Sequence, residues 1–416
     1  MAIARIKHWA LNPAFLGRRM SFIAGPRQVG KTTLVQGYLQ DIKQEYLYYN
    51  WDAITTKRQY SENQLFFLEN IPEAVPAPNH SSIPRFWVAL DEFHKHPGWK
   101  EMLKGYYDEF GHFIRFVICG SARLDFFRRS GESLLGRYFL FRMYPMGPRD
   151  IVSSGDFDPH SAWVPGKKIP LDDPDEAFKE AVGQLISLTG FPEPFFAGTM
   201  EFYRRWQDAH ISLLTSEEVR DLSKISDIAR IQLLSSLLPE RVGSPLSINS
   251  LTTSLRCAHA TVKNWLEALA QVYLIFFIPP YTSSLARSIK KEQKIYFWDW
   301  GIHQDEGKRF ENFLAVQLMK AVSAWNECGL GKFSLQYVRT KDGRETDFLI
   351  SNEGKPILLV EAKTSDKHLD KNLVYFKKKT GATLAFQVVM RADGLFRQKA
   401  LSVFVIDVNR FLLFLP

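Results

Sequence analysis

Residues Gly25 to Thr32 read Gly-Pro-Arg-Gln-Val-Gly-Lys-Thr, preceded by the apolar run Ser21 to Ala24 and followed by the helix-forming stretch TLVQGYLQ. This is GxxxxGK[ST] in a strand, loop, helix context, and few local patterns restrict a fold as tightly. The glycines let backbone N–H groups curl around an anion at the positive end of the helix. The expected nucleotide-binding set is therefore Gly25, Pro26, Arg27, Gln28, Val29, Gly30, Lys31, Thr32 and Thr33. Lys31 would reach the β- and γ-phosphates, and the Thr32 hydroxyl would be a ligand of Mg²⁺, so ATP and Mg²⁺ are the expected cofactors.

A second apolar run, Phe86 to Leu90, ends in Asp91-Glu92. A carboxylate pair at that place suits a metal-holding Asp91 and a catalytic Glu92 that polarises the attacking water. A third run, Phe113 to Ile118, leads into Cys119-Gly-Ser121, which makes Ser121 a candidate sensor of the γ-phosphate between the two motifs. In Leu134-Leu-Gly-Arg137-Tyr, Arg137 would serve as a trans-acting finger on a neighbour's nucleotide, although an ordinary surface arginine fits the spacing equally well. Strands alternating with helices, with phosphates at a strand's carboxyl end, give an α/β fold around a mainly parallel sheet covered on both faces. That architecture also hosts kinases. Here roughly two thirds of the chain follows the P-loop segment, so the nucleotide site is expected to drive or gate something downstream.

Composition narrows the setting. The 416 residues predict two or three domains, and 45% hydrophobic with 24% charged residues excludes a largely disordered chain. Lys plus Arg number 53 against 45 Asp plus Glu, a net +8 that permits a polyanionic partner without requiring one. Cys119, Cys257 and Cys328 are far apart and show no metal-ligand spacing. No signal-peptide core is present, and the longest apolar run, Val272 to Ile278, is far short of the roughly 20 residues that span a bilayer. A soluble, cytoplasmic protein without a membrane partner is expected.

Residues 153–176 are rich in Pro, Gly, Ser and Asp and read as a loop, and AFKEAVGQLISL after them as an amphipathic helix stopped by Thr189-Gly-Phe-Pro-Glu-Pro194. Farther on come a helix through DIARIQLLSSL, a short helix capped by Ser247, and a helix through Thr261 to Leu269. Strands at Val272 to Ile278 and Lys294 to Trp298 complete the order, with Arg287, Lys290 and Lys291 between them. That order is a winged helix. Val262, Trp265, Leu266 and Leu269 would face the core, leaving His259, Thr261, Lys263 and Asn264 outward for a DNA groove. With Lys263 the sole cation there, a purely architectural role stands beside DNA binding.

In the C-terminal part, Phe310, Phe313, Leu314 and Leu318 form one face of a helix with Glu311 off it. Gly343 to Ile350 and Ile357 to Lys363 read as paired strands carrying Asp347, Glu361 and Lys363. Two acids and a lysine in this order form the D…ExK arrangement of restriction-endonuclease-like folds, with Glu311 as a preceding helical acid. Such carboxylates hold Mg²⁺ for phosphodiester hydrolysis, and the lysine stabilises the phosphate. Such folds also occur as binding platforms that do not cut.

Taken together, GPRQVGKTTL, LDEFHKHPGW, CGSARL, LLGRY, GFPEPF, IYFWDWG, RFENFLAVQL, ETDFLI and VEAK resemble the bacterial and archaeal AAA-type P-loop ATPases whose C-terminal half is the domain of unknown function 4143. The resemblance extends over nearly the whole chain. It departs in the long loop at 153–176 and in the Asp-Trp-Gly301 corner followed by a short HQDEGK. It implies a P-loop ATPase core (1–152), a linker and helical lid (153–226), a winged-helix domain (227–300) and a restriction-endonuclease-like α/β domain (301–416). The expected function is Mg²⁺-dependent ATP hydrolysis coupled to a DNA-engaging, nuclease-like C-terminal half. The alternative is a signalling or scaffold ATPase whose C-terminal modules bind protein and whose nuclease-like domain is inactive. An oligomer completed by a trans arginine is compatible with either.

Overall fold

The computed structural model describes residues 9–42, 44–72, 86–120, 134–152, 163–165, 167, 169, 172–222, 227–282, 292–365, 368–392, 394–400 and 402–416. Ser121, Arg123, residues 153–162, Arg287, Lys290 and Lys291 lie outside them. The described residues fall into two compact units, one up to Tyr144 and the other from Pro145 on.

In the first unit β1 (Met20–Ala24), β2 (Tyr46–Asn50), β3 (Phe86–Asp91), β4 (Ile114–Gly120) and β5 (Tyr138–Arg142) form one sheet in the order β2-β3-β4-β1-β5. Every pairing is parallel. β1, β3 and β4 are buried along their whole length, as a sheet covered on both faces requires. Strand alternation divides the cover. Phe86, Val88 and Leu90 pack with Trp99, Leu103, Tyr106 and Phe110, the apolar stripe of α2 (Trp99–Phe110). Trp87 points the other way, where Tyr38 of α1 (Lys31–Asp41) meets its ring edge-on with centroids 5.2 Å apart. This topology puts β4 between the P-loop strand β1 and the acidic strand β3, so the carboxyl ends of all three lie side by side.

The second unit contains α3 (Glu176–Ser187), α4 (Met200–Leu213), α5 (Ile228–Leu237), α6 (Ile248–Leu255) and α7 (His259–Gln271). A two-stranded antiparallel ribbon follows, β6 (Ile275–Ile278) with β7 (Lys294–Phe297). α6 begins at Ile248 with Ser247 in the cap position, but the Ser247 side chain makes no capping bond, contrary to the sequence expectation. On α7 Val262, Trp265, Leu266 and Leu269 are buried, and His259, Lys263 and Asn264 are exposed. β6 starts three residues later than expected, because Val272 closes α7 and Tyr273 takes the left-handed conformation (φ 60°) in the turn.

The long helix α8 (Glu306–Glu327) is buried over much of its length. It precedes a six-stranded mixed sheet of β8 (Phe333–Arg339), β9 (Glu345–Asn352), β10 (Lys355–Lys363), β11 (Leu384–Val389), β12 (Phe396–Ala400) and β13 (Val403–Asp407), in the order β12-β13-β11-β10-β9-β8. β8, β9 and β10 form an antiparallel meander; α9 (Lys371–Thr380) then crosses over, and β11 returns parallel to β10. Leu373 and Phe376 of α9 pack on Leu349, Leu359 and Ala385. Also in this unit, Asp150 of the helix Pro148–Val152 accepts from Lys320 of α8 at 2.7 Å. Among the described residues no helix is long and apolar enough to cross a membrane.

α8 is tied to the ribbon by Asn312, whose amide donates to Phe297 O (2.6 Å) and whose Oδ1 accepts from Phe297 N (2.9 Å). His303 Nε2 is 3.1 Å from the same Oδ1, and its ring is buried. Burial lowers the His303 pKa to about 4 from the usual 6.5. As pH falls the unfolded chain therefore binds this proton first, so stability present above pH 6.5 is lost on the way down to 4. From pH 7 to pH 5 this group alone should remove about 2 kcal/mol. The stability gap between wild type and His303→Gln, measured by urea unfolding, should shrink by that amount over this range. A gap independent of pH would contradict the assignment.

Candidate functional site

In the loop after β1, an added Cβ on Gly25 would lie 2.1 Å from Met143 O, so only glycine lets the backbone pass there. Gly30 is left-handed (φ 99°, ψ 20°) and opens α1 without a side-chain cap, leaving the first amides of the helix facing the loop. Lys31 is 7% exposed and folds back on the loop, donating to Gly25 O (2.9 Å) and Pro26 O (2.6 Å). Val29 is buried, while Arg27 is half-buried and Gln28, Thr32 and Thr33 are exposed.

β3 delivers the two acids. Asp91 Oδ2 accepts from Thr32 Oγ1 (2.6 Å) and from Tyr48 Oη (2.7 Å), drawing both ends of the nucleotide motif together. Its other oxygen, Oδ1, is buried and has no hydrogen-bond partner among the described residues. A buried carboxylate oxygen without a donor is costly. A water on a metal held beside Thr32 would satisfy it, so these residues fit the Mg²⁺ that the fold implies. Glu92 follows in the left-handed region (φ 55°, ψ 15°), a backbone cost of about 1–3 kcal/mol that tends to be found at functional sites. Its amide donates to Cys119 O of β4 at 2.9 Å. The Glu92 carboxylate is 17% exposed, with Lys95 Nζ at 3.2 Å, and Lys95 is held in turn by Asp52 at 2.6 Å. Burial raises the Glu92 pKa against the opposing charges of Lys95 and Lys31. Burial also raises that of Tyr48, helped by its bond to Asp91.

Lys31, Thr32, Asp91 and Glu92 thus come together at the carboxyl end of the parallel sheet. Arg137 is engaged elsewhere: its guanidinium makes a two-pronged pair with Asp108, at 2.7 and 2.9 Å. Tyr48 is the member that sequence reading missed. Its strand, YLYYN, carries no motif, and only the parallel pairing of β2 with β3 brings its hydroxyl to Asp91.

The second unit holds a different cluster. On neighbouring strands Asp347 and Glu361 grip each other's backbone: Ala362 N donates to Asp347 Oδ2 (2.9 Å) and Asp347 N to Glu361 Oε2 (3.3 Å). Lys363, on the same face of β10 as Glu361, bridges Glu361 Oε1 and Asp370 Oδ2, both at 3.0 Å. Glu311 reaches the cluster from α8, accepting from Tyr296 Oη at 2.7 Å. All four residues that the sequence singled out are therefore in one neighbourhood.

Sequence reading did not foresee Lys294, from ribbon strand β7, in their midst. Its side chain is fully buried, and its Nζ lies 2.6 Å from Glu345 Oε1, 3.5 Å from Glu311 Oε1 and 3.7 Å from Asp347 Oδ1. The ring of Tyr337 lies beneath the ammonium, 5.4 Å to its centroid. Burial works against the Lys294 charge, yet Glu311, Asp347 and Glu345 outweigh it and raise the pKa. Burial, with the charges of Glu361 and Glu311, raises that of Asp347 well above the carboxylate range despite Lys294. Burial brings Glu361 up to about 7 against the pull of Lys363. The Mg²⁺ that a D…ExK arrangement implies does not fit this set, because the Asp347 oxygen left free by Ala362 N faces an ammonium. Among the described residues no group of three or more His, Cys, Asp or Glu is arranged to hold a metal ion.

Comparison with known proteins agrees with the geometry of the first unit. Residues 17–152 match a family described as AAA domain, 179–305 a domain of unknown function (DUF8612) and 306–410 another (DUF4143). Uncharacterized proteins of Mycobacterium bovis and Mycobacterium tuberculosis are each 23% identical over 295 residues, 69% of this chain. The chain spans about 60% of the length of these relatives. The solved Aeropyrum pernix ORC1 protein in complex with DNA aligns with 72% of this chain and 88% of its own at 15% identity, with a TM-score of 0.31, a likeness too slight to bear on the fold. The chain thus carries an AAA domain in its N-terminal part and the domain of unknown function 4143 in its C-terminal part.

Proposed function

We propose that the chain is a Mg²⁺-dependent ATP hydrolase whose nucleotide state is coupled to a C-terminal half that engages DNA. The observation that carries the hydrolytic part is the Thr32 to Asp91 hydrogen bond, with Glu92 as the next residue and Lys31 seated in the loop. When bound, Mg²⁺ supplies charge neutralisation on the β- and γ-phosphates, and Thr32 and Asp91 are the residues that would hold it. Lys31 would trade its loop carbonyls for phosphate oxygens. Glu92 would orient the attacking water and take its proton. Ser121 as sensor belongs to this reading, as does Arg137 as a finger in an oligomer, for which Arg137 has to leave Asp108. The domain limits at 152, 226 and 300 and a cytoplasmic setting also belong to it.

For the partner, the ribbon after α6 and α7 has the order of a winged helix, and α7 presents exposed His259, Lys263 and Asn264. A second reading makes the C-terminal modules a protein-binding platform with an inactive nuclease-like sheet. Two observations favour it: Lys263 lies 3.9 Å from Glu267, which offsets the one cation on that face, and Lys294 fills the carboxylate cluster. ATP turnover measured alone and with duplex DNA, single-stranded DNA and RNA separates the two. A rate raised by nucleic acid, with affinity falling steeply in salt, supports DNA engagement. An unchanged rate without salt-dependent binding leaves the platform.

A further inference from the structure

The carboxylate cluster of the second unit already contains a cation of its own. Glu311 comes from α8, Glu345 and Asp347 from β9, and the ammonium among them from β7, a strand of the preceding ribbon. Three carboxylates brought this close repel one another, and a cation among them is the cheapest neutralisation. Lys294 supplies it without loss of translational freedom, being part of the same folded unit. The remaining bonds fix the arrangement. Tyr296, two residues along β7, donates to Glu311; Arg339 pairs with the other oxygen of Glu345 at 3.1 Å; Gly243 leaves no room for a Cβ beside Glu311 Oε2, which would be 2.7 Å away. The second half of the constellation is closed in the same way, by Lys363 between Glu361 and Asp370.

We propose that Lys294 is a tethered cation that replaces a divalent metal among Glu311, Glu345 and Asp347, so that the C-terminal sheet of the intact chain takes up no Mg²⁺ or Mn²⁺ there. The sheet then keeps the acids of a metal-dependent nuclease without its metal, and the ribbon strand is the part that closes it. Replacing the lysine removes the neutralising charge and leaves the acids in need of another.

Mn²⁺ is the probe, titrated into the chain of 416 residues without nucleotide and read by electron paramagnetic resonance. Wild type should show no Mn²⁺ uptake beyond what Asp91→Asn removes at the nucleotide site, and Asp347→Asn should match it. Lys294→Met and Lys294→Gln should each take up one equivalent of Mn²⁺ and lose it when combined with Asp347→Asn. Thermal unfolding gives a second readout: Mn²⁺ should raise the Tm of the Lys294 variants and not that of wild type. If the variants fold only when Mn²⁺ is present, the proposal is supported. Uptake by wild type that Asp347→Asn abolishes overturns it. Lys294 variants that gain no uptake, or that stay unfolded with Mn²⁺, overturn it as well.

Discussion

Glu92→Gln is expected to slow ATP turnover by about 10²–10⁴-fold while nucleotide affinity stays within a few-fold of wild type. Asp91 ends a strand fixed by its parallel pairing with β4, and Glu92, one residue beyond, is held by the bond from its amide to Cys119 O. Glutamine keeps the shape and the left-handed backbone but accepts no proton. Burial raises the pKa of Glu92, which makes it the stronger base once a water is in place. Loss of the ion pair with Lys95 does not account for such an effect. Asp52 still holds Lys95 at 2.6 Å, and a partly exposed pair is worth about 1 kcal/mol at most. Lys31→Ala is the contrasting variant, since it removes the charge that would meet the phosphates and should abolish binding as well as turnover. Phosphate release and binding of a fluorescent ATP analogue, measured on the same preparations, separate the two effects. Full turnover in Glu92→Gln would remove Glu92 from the chemistry.

The contrast between the two sites shows what a sequence reveals. The nucleotide site was legible because its chemistry depends on neighbours in the chain: a loop of fixed length, a lysine and threonine at its end, and an acid pair closing an apolar strand. Tyr48 escaped because its position is set only by the order of strands in the sheet. In the second unit Asp347, Glu361 and Lys363 were legible as a hairpin, since strand alternation alone brings them to one face. Lys294 was not, because it enters from a ribbon outside that hairpin, at the end of a basic stretch that belonged to the winged-helix reading. A lysine next to Ile295 in a buried strand was the available signal: all four residues of β7 are buried, and a lysine in such a strand needs acidic partners. Arg137 marks the opposite limit, where one local pattern suits a finger and a surface pair alike and the structure holds the pair.

Asp299→Ala is expected to destabilise the second unit by about 3–5 kcal/mol, the cost of breaking a buried charged network from one side. Asp299 accepts from Thr189 Oγ1 (2.7 Å) and Gly301 N (3.2 Å) on one oxygen, and from Tyr203 Oη (2.9 Å) and Gln207 Nε2 (3.3 Å) on the other. It therefore joins the turn after α3, the helix α4 and the corner after β7. The packing around it has no slack. A Cβ on Gly190 would lie 2.5 Å from the Trp300 ring, and one on Gly301 would lie 2.3 Å from Leu188 O. Trp300 is itself buried and donates to Leu185 O at 2.6 Å. These contacts give a structural reason for Thr189-Gly190, read in the sequence as a helix stop, and for the Asp299-Trp300-Gly301 corner. Alanine removes an acceptor from four donors and leaves the Thr189 and Tyr203 hydroxyls buried without it. Asparagine tests which effect dominates. Burial raises the Asp299 pKa despite its four hydrogen bonds, so the charge itself is disfavoured there. Asp299→Asn removes that charge and keeps one acceptor oxygen, so its cost should be closer to about 1 kcal/mol. Unfolding in urea followed by tryptophan fluorescence, with Trp300 as a local reporter, would give the two values. Equal losses for alanine and asparagine would mean that the ionised carboxylate, and not the supply of acceptors, holds the corner.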